Sequence, residues 1–265
     1  MRNCSISGNT GARGGGISTY CGGSSSLVVS NCTIISNTAT MYAGGLRLVY
    51  NTYVYNSTIQ YNYSSGSVGA GGIYVTDNSS FYSCLIANNR AGAGSGGGIV
   101  AAMRGSNTPA VLYNCTISSN QSKAYGGIYL TFSATALTNG SFLTYNTIAW
   151  GNTSTGAYLN GTNVYVATAS TGQFYNCDIE GGTNFYGSTW SVVTNCISAD
   201  PQMIDLPGGN YRLARGSPCI NTGLNQDWMT NSFDRDGHAR IDHFRRQVDM
   251  GAYEYLSHGT LLSGH

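Results

Sequence analysis

One motif recurs along most of this chain at a nearly fixed interval, and it constrains the fold more than any other feature. Asn3-Cys4-Ser5-Ile6 returns as Asn31-Cys32-Thr33-Ile34, Asn56-Ser57-Thr58-Ile59, Ser83-Cys84-Leu85-Ile86 and Asn114-Cys115-Thr116-Ile117. It continues as Asn146-Thr147-Ile148, Asn176-Cys177-Asp178-Ile179 and Asn195-Cys196-Ile197. Successive isoleucines lie 28, 25, 27, 31, 31, 31 and 18 residues apart. Gly-Gly pairs before an aliphatic residue fall between them, at Gly15-Gly16-Ile17, Gly44-Gly45-Leu46, Gly71-Gly72-Ile73, Gly97-Gly98-Ile99 and Gly126-Gly127-Ile128. A third marker is Asn9, Asn37, Asn62, Asn89, Asn120 and Asn152.

A period of this size defines a repeat architecture. Each unit holds short alternating apolar stretches, so Cys and Ile of the motif share one strand face and the intervening Thr takes the other. Gly and Asn supply the bends, because both tolerate left-handed backbone angles. The unit is too short for a propeller blade and lacks helical periodicity. One coil of a parallel β-helix fits, with like residues stacked about 4.8 Å apart. The expected fold is all-β, a right-handed parallel β-helix of about seven coils over 1–199, with an irregular C-terminal cap over 200–265 packed on the last coils. Asn ladders along the axis would exchange amide hydrogen bonds.

Composition agrees with this and excludes several classes. Charged residues make up 9% of the chain, with 37 glycines and 20 tyrosines among 265 residues. That is far below the usual charge of a soluble domain, and unlike disorder, which is usually charged and poor in aromatics. No apolar run is long enough for a membrane helix. A net charge of +1 without a basic cluster argues against nucleic acid. Residues 1–199 carry six basic and three acidic side chains and no histidine, whereas 200–265 carry six basic, eight acidic and all four histidines.

The Asn-Cys-Thr-Ile and Gly-Gly-Ile units resemble right-handed β-helices of the pectin-lyase-like superfamily, in particular the repeats of bacterial surface proteins such as the polymorphic outer membrane proteins. The tail is similar to the C-terminal segment of choice-of-anchor Q β-helix proteins, through Asp200-Pro201-Gln202, Tyr211-Arg212-Leu213, Gly216-Ser217-Pro218-Cys219-Ile220-Asn221-Thr222-Gly223, Asp234-Arg235-Asp236-Gly237 and Val248-Asp249-Met250-Gly251-Ala252-Tyr253-Glu254. The resemblance implies a secreted or cell-surface bacterial protein and does not identify a reaction. Met1 runs straight into the first repeat with no secretory leader. The expectation is therefore a fragment of a longer exported protein, or a first coil whose uncovered end self-associates with another copy.

Six cysteines (Cys4, Cys32, Cys84, Cys115, Cys177, Cys196) share one interior column, where Ser57 and Thr147 substitute. Packing explains this better than bridging, so free thiols are expected, with Cys21 and Cys219 outside the column. No zinc spacing is present.

Candidate functional residues fall into three groups. Tyr55, Tyr82, Tyr113 and Tyr175 stand two positions before the cysteine column and are expected to point outward, as are Arg47, Tyr74, Tyr129 and Tyr165 after the Gly-Gly pairs. Such stripes suit a polysaccharide or cell-surface glycan, and equally suit sheet stabilisation by cross-strand aromatic pairs. Asp178 and Glu180 are the one carboxylate pair of the array, outward and roughly 7 Å apart along the strand, near the spacing of an inverting glycosidase. A polysaccharide lyase would draw instead on Arg47, Arg90, Arg104, Lys123, Tyr74 and Tyr129. In the tail, Asp234, Asp236 and Asp249 offer oxygen ligands for calcium, or a salt-bridge set with Arg240, Arg245 and Arg246. No other cofactor is expected. The leading expectation is a non-catalytic exported module that binds glycans or partners through its outer faces. Its alternatives are a carbohydrate-active enzyme, lyase or hydrolase, and a self-assembling fibre subunit.

Overall fold

The computed structural model describes residues 1–21, 25–104, 108–132, 141–156, 163–167, 170–182, 192–241 and 246–256. The chain winds into a parallel β-solenoid whose coils contribute one strand to each of four parallel sheets. The isoleucine sheet runs from Ser5–Ser7 through Thr33–Ile35, Thr58–Gln60, Leu85–Ala87, Thr116–Ser118 and Ile148–Trp150 to Asp178–Ile179. A short-strand sheet follows, from Thr10–Gly11 to Thr153–Ser154, then the sheet after the glycines, from Ile17–Ser18 to Val164–Val166. The tyrosine sheet closes each coil, from Leu27–Ser30 through Thr52–Tyr55, Ser79–Tyr82, Ala110–Tyr113, Ser141–Tyr145 and Thr171–Tyr175 to Val192–Thr194. Two sheets have seven strands and two have six among the described residues, so the stack is slightly shorter than seven complete coils.

Registers follow the repeat. Ile34, Ile59, Ile86 and Ile117 lie over one another and are fully buried in a single core with Leu46, Ile73, Ile99 and Phe81. The Gly-Gly pairs are required by the stacking itself. A Cβ on Gly45 or Gly72 would stand 2.7 or 2.6 Å from the carbonyl oxygen of the next coil's glycine, closer than atoms approach.

Two asparagine columns turn the coils, and they do different work. The inner one is a ladder through Asn9, Asn37, Asn62, Asn89, Asn120, Asn152 and Asn163. Each side-chain nitrogen donates to the next Oδ1 at 2.7 to 3.1 Å. From Asn37 to Asn152 the same nitrogen also donates to an isoleucine carbonyl of the preceding coil. The buried amides are thus satisfied, as burial demands. The outer column sits between tyrosine and isoleucine strands. Asn3, Asn31, Asn56, Ser83, Asn114, Asn146 and Asn176 take φ of +45° to +53° there, which asparagine tolerates best among residues with a side chain.

The cysteine column lies just inside. All eight cysteines are free. Each thiol of the column donates to the carbonyl two residues back, as Cys84 does to Tyr82 and Cys115 to Tyr113. Ser57 and Thr147 donate to Tyr55 and Tyr145 in the same way. The position thus selects a small donor, which is why thiol and hydroxyl interchange.

The tail is placed differently from the cap expected on the last coils. It lies along the flank of the isoleucine sheet. Arg235 donates to Asn56 O at 2.8 Å, Arg240 to Ser83 Oγ at 3.2 Å, and Ala252 N to Thr116 Oγ1 at 3.0 Å. Asn176 Nδ2 donates to Thr222 O at 3.0 Å. Tyr211, Ala252 and Tyr253 cover Leu85 and Ala87, while Leu213, Cys219 and Met250 cover Ile148. Of the outward positions of this sheet, Thr58, Leu85, Thr116 and Ile148 are buried, two of them aliphatic, whereas Ser5 and Thr33 remain exposed. Arg240 anchors the tail, fully buried, with bonds to the carbonyls of Gly251 and Ala252 and an ion pair to Glu254 at 2.8 Å.

Candidate functional site

The tyrosine column is longer than the four residues expected. Tyr55, Tyr82, Tyr113, Tyr145 and Tyr175 form one stack, with ring centroids 4.7 to 5.3 Å apart and ring planes within 15° of parallel. Tyr145 was hidden because the isoleucine of its unit, Ile148, comes one position early and takes the register of Thr116. The phenols are half-buried, and burial together with Tyr82 and Tyr145 pushes Tyr113 up to about 12. Trp228 of the tail packs edge-on against Tyr82 at 5.0 Å and lies beside Tyr113 at 5.8 Å.

The rings of the column are therefore not a row of flat platforms facing outward. Parallel stacking turns each ring face onto its neighbour, so the interior members present only edges outward. A face is free where the stack stops. In register above Tyr55 stands Ser30, a side chain too small to cover a ring. The Tyr55 ring opens there into a cleft of about 450 Å³ lined by Arg2, Val28, Ser30, Asn56, Tyr82, Trp228 and Phe233. Phe233 is 55% exposed. Aromatic surface, an arginine and an asparagine amide therefore converge at one point. Sequence spacing did not reveal Trp228 and Phe233, because they come from the tail.

The second stripe is also revised. Arg47 and Tyr74 are buried rather than outward-facing in solvent, 9% and 7% exposed. Tyr42 covers both: the Arg47 guanidinium lies 5.0 Å from its ring centroid, and the Tyr74 ring 4.9 Å away. Burial raises the Tyr74 hydroxyl, and the charges of Arg104 and Arg47 partly offset this. Tyr129 and Tyr165 are half-buried and stack with Tyr125, at 5.2 and 4.0 Å. Of the remaining cations, Arg90 lies over the Tyr63 ring at 5.8 Å and Lys123 is exposed. Of the residues a lyase would draw on, Arg47 and Arg104 stand beside the Tyr74 hydroxyl, Arg104 hydrogen-bonded to it, on a face that Tyr42 covers.

Asp178 and Glu180 leave the strand on the outer side as the alternation required, but Asp178 is fully buried beneath the tail. It accepts hydrogen bonds from Ala199 N and Cys219 Sγ, each at 3.2 Å. Burial pushes its carboxyl up to about 6, while those two bonds act in the opposite sense. The same burial and the facing carboxylate push the Cys219 thiol up. Glu180 accepts from Gly151 N at 2.7 Å and from Asn163 Nδ2 at 3.0 Å. Both acids hold the scaffold.

The three tail aspartates do not gather into an oxygen cage. Asp249 is buried and accepts from Asn221 N and Tyr255 N at 2.7 and 2.6 Å. Asp234 and Asp236 instead neighbour His238, with one ligand atom from each within 4.8 Å of the others. Asp234 accepts from the main-chain nitrogens of Asp236, His238 and Glu254, all at 2.8 Å, and Asp236 pairs side-on with the Nε–Nη2 edge of the Arg212 guanidinium.

No protein-family model matches the chain, and no curated protein matches it. Among solved structures it is similar to "Crystal structure of pectate lyase Pel9A", with 16% identity over 95% of this chain and 70% of that one, and a TM-score of 0.43. At that distance no chemistry carries over. Among the described residues no helix is long and apolar enough to cross a membrane.

Proposed function

We propose that this protein is an exported, non-catalytic β-helix module that binds a glycan, with a sugar ring stacked on the free face of Tyr55. The observation that carries this reading is the end of the tyrosine stack: a bare ring face in a 450 Å³ cleft walled by Trp228 and Phe233. Sugar faces are apolar and fit aromatic planes, while Arg2, Ser30 and Asn56 offer hydrogen bonds around them. Binding is favoured over hydrolysis because Asp178 and Glu180 are committed to structural hydrogen bonds.

A panel of neutral and acidic polysaccharides tests this. Tyr55→Ala is expected to weaken binding about tenfold, a loss of ~1.4 kcal/mol, whereas Tyr113→Ala, inside the stack, leaves affinity nearly unchanged. Equal losses in both variants would remove the stack-end site. Release of reducing ends or of unsaturated products would overturn the non-catalytic reading.

A further inference from the structure

The amides of the outer asparagine column are engaged where the tail runs over them and open where it does not. Asn114, Asn146 and Asn176 donate to the main-chain carbonyls of Asp249, Leu224 and Thr222, at 3.0, 2.9 and 3.0 Å. At the other end of the column, the side chains of Asn31 and Asn56 make no hydrogen bond with any described residue, and neither does that of Thr33. Asn31 and Thr33 are exposed, and Asn56 is half-buried. These three open side chains line one cleft, of about 560 Å³, with Phe233, Asp234, Arg235 and Gly237 of the tail. Asn56 and Phe233 also line the cleft at Tyr55. The two clefts thus share a wall, at the corner where the tyrosine sheet turns into the isoleucine sheet.

The second cleft has the chemistry of a site for a hydroxyl-rich ligand. Two carboxamides and a hydroxyl supply donors and acceptors together. The exposed Phe233 ring adds apolar surface, the mixture on which small-ligand sites are built. The cleft is lined by one guanidinium and one carboxylate, of Arg235 and Asp234, and both are already engaged. Arg235 donates to Asn56 O, and Asp234 accepts from three main-chain nitrogens. Neither sign of ligand charge is favoured there.

We propose that the bound glycan is an oligosaccharide that crosses Phe233, with one unit stacked on Tyr55 and the following units, uncharged, held in the second cleft by Asn31, Asn56 and Thr33. This rests on the carbohydrate reading of the Tyr55 cleft. It adds to that reading a length requirement and a class, a chain of neutral sugars.

The test titrates the full chain with neutral oligosaccharides, dimers to hexamers, prepared from glucan, mannan, galactan and xylan, and with uronate oligomers of the same lengths. Affinity for a neutral series is expected to climb with length until both clefts are filled. Asn31→Gly removes an amide and Thr33→Val a hydroxyl. Glycine adopts the φ of +52° at position 31 without strain, and valine suits a strand, so the double variant is expected to melt close to the parent. It should bind hexamers about tenfold more weakly and dimers as the parent does. Tyr55→Ala, by contrast, should weaken dimers and hexamers alike, which separates the two clefts. Affinity that stops rising at the dimer, or equal hexamer binding by the double variant, would overturn the crossing and leave the Tyr55 site standing. A steeper gain with length for the uronate series would overturn the assignment of neutral units. Absence of binding at every length would overturn both readings.

Discussion

The Asn163 carboxamide donates to the Glu180 carboxylate at 3.0 Å, and this contact closes the inner amide ladder. All its amides point their N–H groups in one direction, so the last needs an acceptor that is not another asparagine. Glu180→Ala would remove the carboxylate that accepts from Asn163 Nδ2 and Gly151 N, at a cost of about 1–3 kcal/mol. Glu180→Gln keeps an acceptor and is expected to cost less. The midpoint of urea unfolding measures both.

Asp178 predicts a pH dependence of stability. Its folded value of about 6 lies above the ordinary 3.8, so the fold binds the proton more tightly than the unfolded chain does. Its contribution is most favourable below about pH 4 and declines as pH rises through 6, by about 2–3 kcal/mol in all. Asp178→Asn should flatten this part of the profile and be at least as stable as the parent at pH 7. A slope unchanged between pH 4 and 6 in that variant would show that another group titrates.

The cysteine column predicts tolerance of hydroxyls and indifference to reductant. Cys115→Ser can donate to Tyr113 O as Ser57 does to Tyr55 O, and is expected to cost less than about 1.5 kcal/mol. Reductant should leave the melting temperature unchanged, since no cysteine is bridged.

A methyl group at the glycine column should be far more damaging. The Cβ of Gly72→Ala would meet Gly98 O at 2.6 Å, Asn89 Nδ2 at 3.0 Å and Asn89 Cγ at 3.1 Å. The coils would have to separate locally, and a loss above about 3 kcal/mol is expected. Gly181→Ala, where nothing stands within 4 Å, is the control for space, with only its positive φ to resist.

These residues show what the sequence made legible. Repetition fixed the period, the facing of the cysteine column and the amide ladder, because each depends only on a residue and its own copies one coil away, whereas Ile148 takes the outward register of Thr116 while Ala149 lies over Ile117. Tyr145 and Asn163 were missed where the local motif decays, although each continues a column. The covering of Asp178, Arg47 and Tyr74 was not legible, because burial there comes from residues distant in the sequence or outside the repeat positions. The cleft at Tyr55 required both kinds of information: a column that ends at Ser30, and aromatic rings supplied by a tail whose path the repeat does not encode.

The path of the tail also bears on how this protein can change over time. Solenoids usually gain and lose whole coils with little penalty, since each unit contacts only its neighbours. Here a single stretch of chain engages Asn56, Ser83, Asn114, Asn146 and Asn176, one position in each of five successive coils. Duplicating or deleting a coil within that span would put every contact on one side of it out of step. The tail acts as a ruler, and length variation is confined to the turns between strands and to the coils beyond its reach.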